Sequence, residues 1–103
     1  MNQGQLRDRA LEVLSGVLDP ELGISVVDLG LVYRLEADAG AIDVDLTMTT
    51  PACPLGEHIA RQAEARLAAL PGVTHATVRL VWEPPWTAER MSPAAREALG
   101  WAR

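Results

Sequence analysis

Two runs of strict alternation meet at a glycine turn, and they confine this chain to folds built around a β-hairpin. Leu31, Tyr33, Leu35 and Ala37 alternate with Val32, Arg34, Glu36 and Asp38. Beyond Ala39-Gly40, Ile42, Val44, Leu46 and Met48 alternate with Asp43, Asp45, Thr47 and Thr49. A period of two sends one set into a core and the other into water. A short turn containing glycine joins two such runs as antiparallel neighbours. One face of the sheet is therefore wet, and the apolar residues elsewhere must cover the other.

The flanking segments supply that cover. Leu6, Ala10, Leu14, Val17 and Leu18 recur at helical spacing opposite Arg7, Asp8, Arg9 and Glu12, and Asp19-Pro20 stops the helix. Leu55, Ile59, Ala63, Leu67 and Leu70 mark a second helix, which Pro71-Gly72 ends. A third strand carries Ala76, Val78, Leu80 and Trp82 on one face and His75, Thr77 and Arg79 on the other. Glu83-Pro84-Pro85-Trp86 breaks regular structure, and Ser92-Pro93 opens a last short helix that Gly100 closes. The expected architecture is a two-layer α+β domain in the order α-β-β-α-β. Its three-stranded sheet carries helices on one face, followed by a short C-terminal helix. With 103 residues and no repeat or linker, residues 1–103 are expected to form a single domain.

Charge and composition narrow the function classes. A net charge of −5 argues against nucleic acid as the partner, which would call for a basic face. All nine basic residues are Arg, so Schiff-base lysine chemistry is excluded. The opening residues lack the charged and apolar regions of a signal peptide, and no apolar run approaches membrane-spanning length. A lone cysteine makes no intramolecular disulfide. The expectation is a cytoplasmic protein with no membrane association.

That cysteine, Cys53, is the residue richest in chemistry. It lies in Thr49-Thr50-Pro51-Ala52-Cys53-Pro54, where the second strand hands over to the second helix. A residue before proline is pushed into extended backbone, and proline suits the first helical position. Cys53 is thus expected to cap the helix, where free amides and the dipole lower a thiol's pKa and make it a better nucleophile or metal ligand. A small buried residue filling a turn is the alternative. Asp19-Pro20-Glu21 offers a stiffened pair of carboxylates, though Asp-Pro serves equally to stop a helix. Asp28, in Val27-Asp28-Leu29-Gly30, faces the hairpin end from the other side, or else bonds the amides of its own turn. Antiparallel pairing brings Asp28, Thr49, Thr50 and Cys53 to one sheet edge. Trp82-Glu83-Pro84-Pro85-Trp86, running on to Arg90, gathers two of the three Trp residues in a chain without Phe. Trp82, Trp86 and Arg90 are docking candidates if exposed; a lid of indoles folded on the core is the competing reading. His58 and His75 have no evident route to the thiol, which weighs against a Cys-His-Asp hydrolase.

Together these motifs resemble a known family, the small domain once catalogued as of unknown function and now associated with iron–sulfur cluster assembly. The family includes SufT-like maturation factors of the SUF system and the eukaryotic cytosolic targeting subunits. The resemblance rests on Asp19-Pro20-Glu21-Leu22-Gly23, Val27 to Tyr33, Thr49 to Leu55 and Val81 to Thr87, and spans roughly Leu6 to Leu99. It implies the fold already read, and a functional patch of Cys53 with Asp19, Glu21, Asp28, Thr49 and Thr50. No P-loop of the cluster-carrying ATPase relatives is present, nor the C-terminal cysteines of PaaD-like relatives.

The resemblance implies an auxiliary factor, not an enzyme, that matures or targets clusters to client apoproteins with Cys53 as a transient ligand. An iron–sulfur cluster takes about four protein ligands, so the monomer is expected to hold none stably. Any cluster or iron would be shared between subunits, as in a homodimer, or with a partner from the assembly machinery or a client. The alternatives are a metal-free, PaaD-like adaptor for an oxygenase or other client, and a cysteine-dependent enzyme.

Overall fold

Strand β2 (Ala41–Leu46) is the spine of the fold, because both other strands pair with it. Strand β1 (Val32–Asp38) runs antiparallel to it, joined by a turn at Ala39-Gly40 in which both residues have positive φ, 52° and 86°. That is the backbone twist a tight hairpin demands. Strand β3 (His75–Leu80) runs parallel to β2, with Ala41 opposite His75 and Leu46 opposite Leu80. A parallel neighbour needs a crossover, which helix α2 (Gly56–Ala68) supplies. The computed structural model describes residues 3–20, 22–49 and 55–100.

The alternation along β2 is fulfilled. Ile42, Val44 and Leu46 are fully buried, and Met48 just beyond the strand nearly so. Helix α1 (Gln3–Leu14) covers this face from the β1 side with Leu6, Ala10 and Leu14. Helix α2 covers it from the β3 side with Ile59, Ala60, Ala63 and Leu67. Fully burying each such aliphatic side chain contributes about 1.5–3 kcal/mol, so this layer is the main source of stability. The result is the expected α+β sandwich of a three-stranded sheet and helices, closed by the short helix α3 (Pro93–Ala98). Ser92 caps α3, its hydroxyl accepting from the Ala95 amide at 3.1 Å.

Two local expectations are corrected. Helix α1 ends at Leu14, before Ser15-Gly16, rather than running to Asp19. Val17 is still buried, but Leu18 is half exposed and bridges to Ser25 in a small antiparallel contact. In β1, a bulge between Val32 and Arg34 adds a residue. The extra residue takes Tyr33 out of the buried set, and it lines an open cleft with Arg34 and Asp45.

The wet face carries a cross-strand charge network. Arg34 pairs with Glu36 (2.8 Å), Asp43 (2.7 Å) and Asp45 (3.0 Å), and Arg79 of β3 reaches the same two aspartates at 3.3 and 3.0 Å. Hydrogen bonds from Arg34, ahead of other causes, hold the carboxyls of Asp43 and Asp45 below the usual range. At the outer edge of β3, the Val78 amide donates to Glu64 Oε2 at 2.9 Å and its carbonyl accepts from Arg61 at 3.0 Å. Both side chains come from α2, so the helix satisfies backbone groups that would otherwise face water.

A C-terminal strap crosses one end of the sheet. The Ser92 amide donates to the Asp28 carbonyl at 2.7 Å, the Tyr33 hydroxyl donates to the Pro84 carbonyl at 2.8 Å, and Met91 and Ala95 are buried. Gly30 lets the strap approach: its φ is +73°, and a Cβ there would collide with the backbone carbonyl of Arg90. Gly30→Ala should therefore cost at least about 2 kcal/mol in urea denaturation, through the left-handed backbone and the displaced strap together. The depressed aspartates predict an acid limb. Their contribution is complete above the unfolded carboxyl value of about 3.9 and is lost as pH falls through the lower folded values. Stability should drop on acidification below about pH 4. Arg34→Met should flatten that limb, and high salt should shrink the difference because the pairs are partly exposed.

Candidate functional site

The parallel register decides what meets at the strap end of the sheet. Since Leu46 lies opposite Leu80, the chain leaving β3 runs beside the chain leaving β2, and the Val81 amide donates to the Leu46 carbonyl at 2.8 Å. On the other side of β2, the Thr47 amide donates to the Leu31 carbonyl at 2.8 Å, extending the hairpin pairing past the strands. Three sequence-distant segments thus converge here: 25–31, 47–49 and 81–86.

Between the last two lies a cavity of about 240 Å³. Among the described residues, Thr47, Met48 and Thr49 form one wall, and Trp82, Glu83, Pro85 and Trp86 the other. The indole N–H of Trp86 donates to the Leu29 carbonyl at 2.7 Å, and its ring is partly buried against the core. Trp86 is therefore a lid over the sheet end that also walls the cavity. Trp82 behaves differently: it is 38% exposed, at the same cavity.

The other candidates that are described each have local surroundings of their own. Asp19 is only 3% exposed and its Oδ1 accepts from the Leu22 amide at 3.1 Å, closing a turn at the surface. Asp28 is exposed, with its amide bonded to the Ser25 hydroxyl at 3.0 Å, in a turn that Gly30 completes. Arg90 is exposed and places its guanidinium 4.4 Å from the Tyr33 ring centre, a cation–π contact. Cys53, Thr50 and Glu21 lie outside the described residues. Helix α2 has its N-cap at Leu55, with no side-chain cap bond, so the cap falls two residues beyond Cys53 rather than on it. His58 is exposed on α2, and His75 bonds Thr77 at 2.8 Å at the turn end of the sheet. A six-residue strand puts that end about 20 Å from the strap end. No group of three or more His, Cys, Asp or Glu suited to a metal ion occurs among the described residues.

Alternation along the hairpin concealed several residues of this site. Thr47 falls on the wet set but is 1% exposed, because the segment leaving β3 covers it. Tyr33, which anchors the strap, and Glu83, which walls the cavity, also escaped notice. One signal was available: a helix between β2 and β3 implies parallel strands, and so places residues 82–86 beside 47–49. Trp86→Ala should cost roughly 3 kcal/mol in chemical denaturation, from the vacated volume and the lost hydrogen bond. Trp82→Ala should stay within about 0.5 kcal/mol of the parent.

The geometry coincides with that of known proteins. A family model described as iron–sulfur cluster assembly protein matches residues 7–79. The chain is 47% identical over 85 residues to the Fe-S protein maturation auxiliary factor SufT of Staphylococcus aureus, covering 82% of this chain and 97% of that protein. It is 42% identical over 96 residues to the auxiliary factor YitW of Bacillus subtilis, covering 92% and 94%. The crystal structure of a domain of unknown function, DUF59, from Bacillus anthracis superposes with a TM-score of 0.90 at 39% identity, covering 95% of this chain and 94% of that one. The chain belongs to the iron–sulfur cluster assembly protein family.

Proposed function

We propose that this protein is an auxiliary factor of iron–sulfur cluster maturation, helping deliver clusters to client apoproteins. The observation that carries the reading is its near-complete correspondence with a factor of that description, 97% of whose length it matches. The chain's own chemistry agrees. Cys53 is its one thiol, and a cluster takes about four protein ligands. Cluster iron held by Cys53 must take its other ligands from a second subunit, a donor or the client. Such shared ligation suits transfer: the Cys53 thiolate bonds iron, and a client thiolate replaces it as the cluster leaves. No covalent conversion of a substrate is involved, so the protein acts as a delivery factor and not an enzyme.

Its position supports the same reading. Cys53 lies in sequence between Thr49, which walls the cavity, and Leu55, which begins α2. The proposed partners are the assembly machinery and client apoproteins. No helix among the described residues is long and apolar enough to cross a membrane. We place the protein in the cytoplasm, where thiols stay reduced. A metal-free adaptor is the second reading, favoured by the exposed indole of Trp82. The two differ in whether the thiol matters.

Cys53→Ser distinguishes them. The N-cap position of the helix is Leu55, Glu57 lies in its first turn, and serine serves a helix start at least as well as cysteine. Denaturation midpoints should match the parent within about 0.5 kcal/mol. Serine is a far poorer soft-metal ligand. Anaerobic reconstitution with iron and sulfide, followed by absorbance and Mössbauer spectroscopy, should show iron retained by the parent and lost from the variant. Complementation of a strain lacking the factor should fail. Full complementation by Cys53→Ser would transfer the role to the adaptor reading.

A further inference from the structure

The proposed cluster delivery rests on the thiol and leaves the chemistry of the cavity between residues 47–49 and 82–86 unused. Its walls are aromatic and apolar, from Trp82, Trp86, Pro85 and Met48. The residues lining it that can accept hydrogen bonds through their side chains are Glu83, Thr47 and Thr49, and the Trp86 indole N–H is already committed to the Leu29 carbonyl. No Arg or His lines it among the described residues. Glu83 also lines the adjoining cleft, beside Arg34 and Arg90, but forms no ion pair with any described residue. Those two are engaged elsewhere, Arg34 by three carboxylates and Arg90 over the Tyr33 ring. Glu83, without an ion pair among the described residues, thus shares a cavity wall with two indoles, one of them 38% exposed.

That combination selects its occupant. An indole face attracts a cation, and a planar guanidinium can stack on it while its donors fork onto a carboxylate. A lysine ammonium matches the charge but neither the plane nor the fork. An aliphatic side chain would desolvate Glu83 without pairing it, at a cost in free energy. We propose that this cavity binds an arginine side chain presented by a partner protein. The chain's net charge of −5 also favours encounter with a basic surface. The partner is the machinery or client of the maturation reading, and to that extent the proposal rests on it.

The test titrates the intact protein with Nα-acetyl-arginine methylamide and follows its Trp indole N–H signals by NMR. Trp82→Ala assigns the Trp82 signal. The expected result is a saturable shift of the Trp82 and Trp86 signals, with a Kd in the millimolar range, on the order of 1–30 mM for one isolated side chain. The neutral isostere citrulline, as the same amide, should bind at least about tenfold more weakly, and the lysine amide should fall between them. Glu83→Gln should weaken arginine binding about tenfold and leave signals remote from the cavity in place. Equal affinity for citrulline, a stronger response to leucine amide, indifference to Glu83→Gln, or no saturable shift up to about 0.2 M would each overturn the proposal. The titration needs no iron or sulfide and should read the same in Cys53→Ser. A negative titration beside lost delivery in Cys53→Ser removes the arginine site alone. A positive titration beside intact delivery in that variant removes the cluster-ligand role alone.

Discussion

Everything in this fold hangs on β2 being buried along one face and paired along both edges. Its alternation of Ile42, Val44 and Leu46 with Asp43 and Asp45 leaves one register compatible with a core, since a slip of one residue would exchange the two sets. The helices then have a surface to cover and the charges a face to share. The antiparallel partner arrives through a tight turn and the parallel one through a helix. That mixed pairing places the site. It brings the exits of β2 and β3 to the same end, so a threonine pair and a tryptophan pair far apart in sequence come to share one cavity.

The strap that closes this end depends less on buried area than on fit. Gly30 has no side chain where Arg90 passes, Trp86 spends its indole hydrogen on Leu29, and Ser92 bonds the carbonyl of Asp28 before capping its own helix. Each contact joins the segment after β3 to the turn before β1. The two motifs that frame the resemblance to the family, around Asp28 and around Trp82–Trp86, are thus two halves of one interface. Asp28 contributes through its backbone there, with its carboxylate left in water. Asp19, by contrast, is buried and its Oδ1 accepts from an amide of its own turn.

Much of this was legible because local chemistry and tertiary demand agree along the hairpin and at Ser92-Pro93. Where they part, the reading failed for identifiable reasons. The bulge that removes Tyr33 from the buried set carries no glycine or proline, so the alternation ran through it unbroken. Helix α1 kept its apolar spacing as far as Val17 and Leu18, but the backbone had already turned at Ser15-Gly16, and Val17 reached the core by another route. The burial of Thr47 goes against the alternation of the strand: it lies at a cavity whose other wall comes from a segment some 35 residues later. The proposed thiol site was read from motif and resemblance, and Cys53 lies outside the described residues; the cavity was not legible, because only the register of β3 brings Trp82 and Glu83 to the same end as Thr49.

The two hydrogen bonds from α2 to Val78 reach beyond the satisfaction of one residue. An open strand edge is a template on which another chain can build, and here the template is occupied by the protein's own helix through Glu64 and Arg61. By filling its β3 edge with side chains from a helix that also buries the core, the protein makes the loss of α2 and the baring of that edge a single event. Unwanted sheet growth at β3 is thereby tied to the cost of opening the domain itself.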